Sequence, residues 1–508
     1  MAMTRKLIIL VKINLSAFMD IPPLGILYVG DALKKAGYQV QVLHISPEQV
    51  EESVQQILDK NPLYVGFSVF TGSAMRSYAE MSRKIKRHSN IPIVWGNVHP
   101  SSLPVQCLQE TYIDYVVIGE GEETAVELAQ ALEDQRELGE VMGIGYKLNG
   151  EIAITKPRPF IQNLDDYALD WSLVDIEQYI SSFGNVNRAI RFVTSRGCPH
   201  RCGFCYNMLF NKRSWRKHSV GFVVSQINRL KEERGINGIM FMDDEFFVNK
   251  KRAISIVEQI DLPYYASCRI EYIDDEFARQ LAETKCRYLL IGLESGSDRI
   301  LKLINKDIKV SDIKAGLRAL SNYPQIQVSG SLIFGFPTET RDEFRSTLKL
   351  IVELLDNKSN MTFTTGWYMP YPGSELYEFA IQHGFHPPKR TEDWEALDRW
   401  IDNFELTWVD WISTAETTEV RNNVVFLAFL YRFNIPLLKN IAKKQIVARD
   451  GQLGITMKGF RLLYDMIRTD HGRIFNLLRT FVLKIIWKLR DIQIQRRKLV
   501  MKDGAKKG

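Results

Sequence analysis

The chain has 508 residues, 45% of them hydrophobic and 25% charged, which is the composition of folded protein and too long for one core. Disorder, a collagen-like repeat and a disulfide scaffold are excluded, and two or three domains are predicted. The net charge of +6 is uneven, because residues 439–508 carry 18 Lys and Arg against 5 Asp, a net +13, which leaves −7 for the rest.

The apolar run Leu7 to Val11 is cut off by Lys12, too early for a signal-peptide core, and no small-residue cleavage site follows. No stretch of 18 uninterrupted apolar residues occurs, so no transmembrane span is expected and the cytoplasm is the expected location.

Residues 1–135 alternate strand and helix patterns. The expected strands are Lys6–Lys12, Gln39–Leu43, Tyr64–Ser68, Ile91–Val94 and Tyr115–Ile118, with helices over Ile26–Lys35, Pro47–Leu58 and Ala74–Arg87. Gly37 is the expected C-cap of the first helix. This order predicts a doubly wound parallel sheet, whose ligands bind beyond the carboxyl ends of its strands. Residues 136–187 read as a linker, with a hairpin at Asn149-Gly150 between Gly145–Leu148 and Glu151–Thr155.

From 188 to 385 the alternation resumes. Strands are expected at Arg191–Thr194, Ile239–Met242, Tyr264–Cys268, Tyr288–Leu293, Val328–Phe334 and Thr362–Met369, with helices such as Val220–Glu233 and Arg341–Leu355 between them. Six βα units predict a partial (β/α)6 barrel with its chemistry at the C-terminal ends of the strands. Residues 386–508 read as a helical, basic region. Within it Ile474, Leu478, Phe481, Ile485, Leu489 and Ile492 form one helical stripe among Arg473, Lys484, Lys488 and Arg490. Such a helix either packs on the protein's own helices or lies on an anionic membrane surface.

Of six cysteines, Cys107, Cys268 and Cys286 are scattered, while Cys198, Cys202 and Cys205 fall within eight residues as C-x3-C-x2-C. That grouping suits a reduced compartment and a metal site better than disulfides. Three thiolates can hold three irons of a cubane and leave the fourth open. A structural zinc site with His200 as fourth ligand is the alternative, but His200 stands too close in sequence to its flanking cysteines for one tetrahedral ion.

The loop Arg196-Gly-Cys-Pro-His-Arg-Cys-Gly-Phe-Cys205 resembles the signature of the radical S-adenosylmethionine (SAM) superfamily. The resemblance implies a [4Fe–4S] cluster on Cys198, Cys202 and Cys205, with SAM chelating the open iron. It implies Phe204 beside the adenine and Asp243, Asp244 and Glu245 near the SAM amino group. Arg269 is implied on the SAM carboxylate, Glu294 on the ribose, and Ser331 and Gly335 on the adenine-side strand. Singly, each of these polar residues is as readily a helix cap or a surface charge.

Pro22-Pro-Leu-Gly25, Val65-Gly-Phe-Ser68-Val-Phe-Thr71, Trp95-Gly-Asn-Val-His-Pro-Ser101 and Gly119-Glu-Gly-Glu-Glu123 follow one another at expected strand ends. Together they resemble the cobalamin-binding domain fused to many radical SAM enzymes, the class B methylases and their relatives. Cobalamin contacts are thereby implied for Leu24, Ser68, Thr71, Gly96, Asn97, His99, Ser101, Gly119, Glu120 and Gly121. Read alone, Ser68 and Thr71 are helix caps, His99 a buried structural histidine, and Gly119–Glu123 an acidic helix start. Two departures stand out. Asn97 replaces the second glycine of a Gly-Gly turn, where Asn tolerates a left-handed backbone, and the loop Ile13–Pro23 has no His to serve as a lower cobalt ligand.

The resemblance implies a cobalamin-dependent radical SAM C-methyltransferase. One SAM would methylate cob(I)alamin and a second would yield a 5′-deoxyadenosyl radical that activates an unreactive carbon. Ring formation or rearrangement without methyl transfer is the alternative within the family, and a non-catalytic cobalamin-binding regulator is the alternative outside it. The implied partners are a small-molecule substrate (a lipid, terpenoid, tetrapyrrole or natural-product intermediate) and an electron donor such as flavodoxin or ferredoxin, with no nucleic acid. Trp367, Tyr368, Tyr371 and Trp394 either line a substrate pocket or belong to the core.

Overall fold

The computed structural model describes residues 6–398 except 16–17, 73 and 358–360, and beyond them residues 423–424, 426–427, 430, the helix Pro436–Ala448 and residue 458. Two seven-stranded sheets organise it. The first is ordered β2-β1-β3-β4-β5-β6-β7. Its strands are β1 (Leu7–Ile13), β2 (Gln39–Ile45), β3 (Val65–Ser68), β4 (Ile93–Gly96), β5 (Tyr115–Val117), β6 (Ile144–Leu148) and β7 (Glu151–Ile154).

β1 is a continuous apolar run with both faces covered, as a central parallel strand requires. On one face Ile8, Leu10, Val94 and Val117 pack under Ile26 and Leu33 of helix Leu24–Lys35 and Leu128 and Ala129 of helix Glu122–Glu133. On the other, Ile9 and Val11 join Ile57, Met75 and Tyr78 in a core that continues into the second sheet. Gly37 takes φ +91 just past the end of the first helix, and its N–H bonds back to the Lys34 carbonyl.

The five strands expected from the sequence form a parallel sheet, and two further strands extend it. β5, β6 and β7 are antiparallel, so the hairpin of the expected linker is built into the first sheet. Asn149 and Gly150 both take positive φ, which suits a tight two-residue turn. Gly145 brings β6 against its neighbours, because a Cβ there would lie within 2.6–2.9 Å of Ile154, Val116 and Leu108. We propose that the first unit extends to the end of this hairpin.

The second sheet is ordered β16-β15-β14-β13-β12-β9-β8. Its strands are β8 (Ser181–Phe183), β9 (Val186–Phe192), β12 (Gly238–Phe241), β13 (Tyr264–Cys268), β14 (Cys286–Glu294), β15 (Gln327–Phe334) and β16 (Met361–Trp367). The last six are parallel, and β8 pairs antiparallel along the edge of β9. This is the partial six-unit barrel expected, with one added edge strand. A small antiparallel pair, β10 (Ser195–Arg196) and β11 (Arg216–Lys217), brackets the cysteine loop.

The stripe at 474–492 lies outside the described residues. Among the described residues no helix is long and apolar enough to cross a membrane. The turn of helix Thr391–Asp398 packs back on the first unit. Glu392 pairs with Arg83, Glu395 accepts from the Arg76 N–H at 2.8 Å, and Trp394, 1% exposed, donates to Gln106 at 2.8 Å. Trp394 therefore fastens the C-terminal side of the second unit onto the first. Trp394→Ala is expected to lower unfolding stability by about 3–5 kcal/mol, measured by denaturant unfolding of the full chain. A change below about 1 kcal/mol would show that this contact is not a structural anchor.

Candidate active site

The cysteine loop follows β9 and is held from several sides. Gly197, at φ +84, cannot be any other residue, because a Cβ would sit 2.0 Å from the Ser214 carbonyl. Its N–H donates to Asp244 at 2.9 Å, the Gly203 N–H to the Ile304 carbonyl at 2.8 Å, and the Leu376 N–H to the Gly203 carbonyl at 2.8 Å. Cys202 is buried and Cys198 and Cys205 half-buried, none in a disulfide. Burial pushes the Cys198 thiol up to about 11 and the Cys205 thiol up to about 12. His200 turns away, its Nε2 lying 2.7 Å from the Tyr272 hydroxyl. Among the described residues no three His, Cys, Asp or Glu side chains converge as they would on a single ion. The donor set, three thiols on one loop with His200 turned aside, is one that can hold three irons of a cubane and leave the fourth open.

Around the loop stand the ends of the barrel strands. The acidic run after β12, expected to meet an ammonium group, divides its work. Asp243 is buried and accepts from the Thr194 N–H at 3.0 Å, the Thr194 hydroxyl at 2.7 Å and the Ser195 hydroxyl at 2.5 Å. Asp244 accepts from the Gly197 N–H and, at 2.7 Å, from the Tyr206 hydroxyl. Both carboxylates thus tie the loop to β12, because short acidic side chains at a strand end reach the nearest unpaired donors first. Glu245 accepts from the Phe247 N–H at 3.0 Å, and burial raises it to about 8.

Arg269, after β13, has three partners within the protein. One nitrogen lies 3.2 Å from Cys202 Sγ, and the others engage Glu271 and the Lys306 carbonyl. Glu294 closes β14 at φ +63, where the register with β15 shifts, a strained backbone of the sort found at functional sites. Its Oε1 pairs with Lys306 at 2.9 Å and its buried Oε2 has no partner. Burial opposes the Lys306 charge, but Glu294 raises its pKa all the same. Gly292 leaves room for this pair, since a Cβ there would meet both side chains. Ser331 lies on β15 between Gly292 and Thr364. Phe204 and Phe336 approach with ring centres 6.1 Å apart. The turn at Gly335 is held by Glu339, which accepts from the Gly335 N–H at 2.5 Å and the Phe336 N–H at 3.3 Å. Lys306 and Glu339 escaped the sequence reading because neither stands in a recognisable motif.

Between the two units lies a cavity of about 890 Å³, large enough for a cofactor. Its wall includes Leu24, Ser68, Gly96, Asn97, Gly119, Glu120 and Gly121 from the first unit and Ser195, Arg196, Tyr206 and Asp244 from the cysteine side. It runs down the sheet face past Leu10, Tyr64, Gly66, Val94, Val117 and Ala125. The apolar lining on the sheet face and the glycine-rich loops at the strand ends suit a corrinoid. Asn97 takes φ +84 and ψ −162, which is even less hospitable to a side chain than the left-handed helical region expected. It is held there by its own Oδ1 accepting from the Val98 N–H at 2.7 Å and its Nδ2 donating to Ser68 at 2.9 Å.

Three residues expected at the cofactor have partners elsewhere in the fold. Thr71 and His99 do not line the cavity. They meet each other at 3.1 Å, and His99 is fully buried against Trp394 with burial depressing it to about 3. Ser101 is not in the wall either; it donates to the Asn97 carbonyl at 2.6 Å and accepts from the Gly119 N–H at 3.0 Å, which pins two loops together. The four aromatics left between pocket and core lie elsewhere. None of Trp367, Tyr368, Tyr371 and Trp394 lines this cavity, and Tyr368 and Trp394 are core.

Glu120 is in the wall but faces charges. It accepts from Arg196 at 2.8 Å, Arg216 at 2.6 Å and the Ile161 N–H at 2.8 Å, while Glu122 pairs with the other side of Arg196 at 2.6 Å. Burial works against the Glu120 charge, yet the two guanidinium groups outweigh it and hold its pKa down. Arg196 stands two residues before Cys198, so adjacency to the motif was the available signal for it.

Two largely parallel sheets, with a cysteine triad after the first parallel strand of the second and a cofactor-sized cavity between them, define a two-unit α/β architecture. Residues 11–129 match the B12 binding domain family, and residues 192–351 the radical SAM superfamily. An uncharacterized methyltransferase of Pyrococcus horikoshii is 34% identical over 374 residues, covering 71% of this chain and 78% of that one. An anaerobic magnesium-protoporphyrin IX monomethyl ester cyclase of Synechocystis is 32% identical over 318 residues, 60% of this chain and 63% of that one. The radical SAM methyltransferase TsrM from Kitasatospora setae, solved with cobalamin and a [4Fe–4S] cluster bound, shares the fold with a TM-score of 0.62 at 17% identity, covering 96% of this chain and 99% of that one. The chain belongs to the radical SAM superfamily, in the group that carries a B12-binding domain ahead of the radical core.

Two outcomes follow from the site's electrostatics. Burial raises Glu339 from 4.5 to about 7, so its contribution to stability is fully present below the unfolded value and fades as pH rises through 7. Glu339→Gln should flatten the fall in apo-protein stability between pH 4.5 and 7 by about 2–3 kcal/mol, measured by denaturant melts; parallel wild-type and variant curves would refute it. Glu120→Ala strands Arg216 and half of Arg196 in a buried site. It should cost about 3–5 kcal/mol and lower iron incorporation on reconstitution, whereas full iron content at unchanged stability would mean that the ion network does not support the loop.

Proposed function

We propose that the protein is a cobalamin-dependent radical SAM enzyme that transfers a methyl group to an unactivated carbon of a small molecule. The observation that carries the reading is the single chamber in which the cysteine-loop anchors Asp244 and Tyr206 face the loops of the B12-binding unit. When bound, the cluster supplies the electron that cleaves SAM to a carbon-centred radical, and the corrinoid supplies the methyl group. The chain's own part is placement and exclusion of water.

Cys198, Cys202 and Cys205 would hold the cluster, with Arg269 placing positive charge against Cys202. The open oxygen of Glu294 and the Phe204–Phe336 pair suit a ribose and an adenine on the barrel side. Glu245, kept protonated by burial at neutral pH, is available as a hydrogen-bond donor. On the other side Leu24, Ser68, Gly96, Asn97, Gly119 and Gly121 would border the corrinoid. The loop Ile13–Pro23 offers it no histidine.

Ring formation without methyl transfer is the second reading, favoured by the likeness to the magnesium-protoporphyrin ester cyclase. The reactions differ in SAM products. Methyl transfer should yield one S-adenosylhomocysteine and one 5′-deoxyadenosine per product, quantified by chromatography in anaerobic turnover. 5′-Deoxyadenosine with an unmethylated product selects ring formation. Replacing Cys198, Cys202 and Cys205 together with Ala should remove the iron and abolish SAM cleavage, while Cys107→Ala, Cys268→Ala and Cys286→Ala keep both. Iron retained by the triple variant would overturn the assignment.

A further inference from the structure

We propose that Lys12 is an anion-recognition residue of the inter-unit cavity and pairs with the phosphodiester that joins a corrin ring to its nucleotide tail. The inference rests on the corrinoid reading of the cavity.

Lys12 stands near the C-terminal end of β1, two residues after Leu10 and so on the same face of the strand. Both line the cavity, with Leu10 beside Gly66 and Lys12 beside Ser68 one step nearer the strand ends. Lys12 therefore stands between the apolar residues on the sheet face and the loops at the strand ends. A corrinoid with its base against that apolar face and its ring at the strand-end loops would bring the linking phosphodiester past Lys12.

The charges in the wall single out the same residue. The lining holds Lys12, Glu120, Glu122, Arg196 and Asp244. Glu120, Glu122 and Arg196 neutralise one another together with Arg216. Asp244 accepts from the Gly197 N–H and the Tyr206 hydroxyl. Lys12 has no carboxylate partner among the described residues. Its Nζ reaches the Ser68 carbonyl only at 3.4 Å and stands 4.3 Å from the centre of the Phe70 ring. Phe70 itself is half-exposed and also lines the cavity.

Burial depresses Lys12 to about 7, as befits an amine with no counter-ion. Two titratable groups lie around it: His44 on β2, depressed by burial and by the Lys12 charge, and Tyr78, whose hydroxyl donates to the same Ser68 carbonyl. Neither supplies negative charge at neutral pH, so a phosphodiester beside Lys12 would meet no competing anion and would draw the amine to its charged form. The same ammonium could instead take the carboxylate of SAM or of a substrate, and the experiment separates these sources.

Full-length protein with its cluster reconstituted, but free of corrinoid, is titrated at pH 7 with cobalamin and with cobinamide, which lacks the phosphodiester and base. Binding is followed by the visible spectrum, for the wild type, Lys12→Met and Lys12→Arg. Lys12→Met should weaken cobalamin about ten- to a hundredfold, leave cobinamide within about twofold, and Lys12→Arg should recover most of the loss. Equal weakening of both corrinoids would overturn the phosphodiester assignment and make Lys12 a general support of the pocket. Unchanged cobalamin affinity, with or without weakened SAM binding, would overturn it as well. If the wild type binds neither corrinoid, it is the cofactor reading that fails.

Discussion

Two carboxylates on one side of the domain boundary and two guanidinium groups on the other set the relation between the halves of this molecule. Glu120 and Glu122 sit at the start of helix Glu122–Glu133, just past the end of β5, while Arg196 and Arg216 lie on the two short strands that bracket the cysteine loop. Burying such a network adds little net stability compared with apolar packing, because desolvation offsets most of the attraction. Its consequence is orientation. Each guanidinium is planar and directional, so the loop bearing Cys198 can meet the first sheet in few ways. Cation–ring contacts of Arg196 with Tyr28 and of Arg216 with Phe160 narrow the choice further.

Strain gathers around the chamber and the cysteine loop, and each strained residue is held by neighbours that would lose their own partners if it relaxed. Asn97 keeps an unfavourable backbone because its side chain bridges Ser68 and its own next N–H, and because Ser101 ties its carbonyl to the Gly119 loop. Glu294 keeps positive φ because Lys306, itself buried, has no other carboxylate as close. Gly197 is fixed by the Ser214 carbonyl beneath it. Strain of this kind costs of order 1–3 kcal/mol per residue and persists only where the surroundings over-determine it. Here those surroundings are the strand ends of both sheets.

Much of the architecture was legible in the sequence. The apolar runs of β1 and β14 and the turn chemistry of Asn149-Gly150 mark their elements by composition alone. The hairpin's membership of the first sheet was not legible, since the pairing of β6 with β5 depends on Gly145 allowing close approach, a tertiary fact. In the site, the cysteine spacing and the glycine-rich strand ends were readable because backbone geometry demands those residues. Polar residues at strand ends were ambiguous in the sequence. Asp243, Thr71, His99 and Ser101 stand where a ligand contact is expected, yet each satisfies a neighbouring loop. One side chain at a strand end can reach either the ligand or the next loop, and sequence spacing is the same for both.

That ambiguity also explains how the chamber is built. A cavity between two sheets needs rigid walls, and rigid walls need their polar groups satisfied before a ligand arrives. The polar residues in and behind the wall meet that need in pairs: Asn97 with Ser68, Thr71 with His99, Glu120 with Arg196. What remains turned toward the interior is mostly backbone, apolar surface and the few groups left over from the pairing. A group left over in a wall otherwise so completely paired is conspicuous, because burial penalises an unmatched charge more than any other feature. The ammonium of Lys12, in this wall, and the open oxygen of Glu294, outside it in the second unit, are two such groups. Lys12 carries no carboxylate partner among the described residues, whereas Glu294 shares its charge with Lys306 and leaves only a lone pair unmatched. The first group suits an anion beside the first sheet and the second a hydrogen-bond donor at the end of β14, so the two halves of the interior differ in the chemistry they can accept.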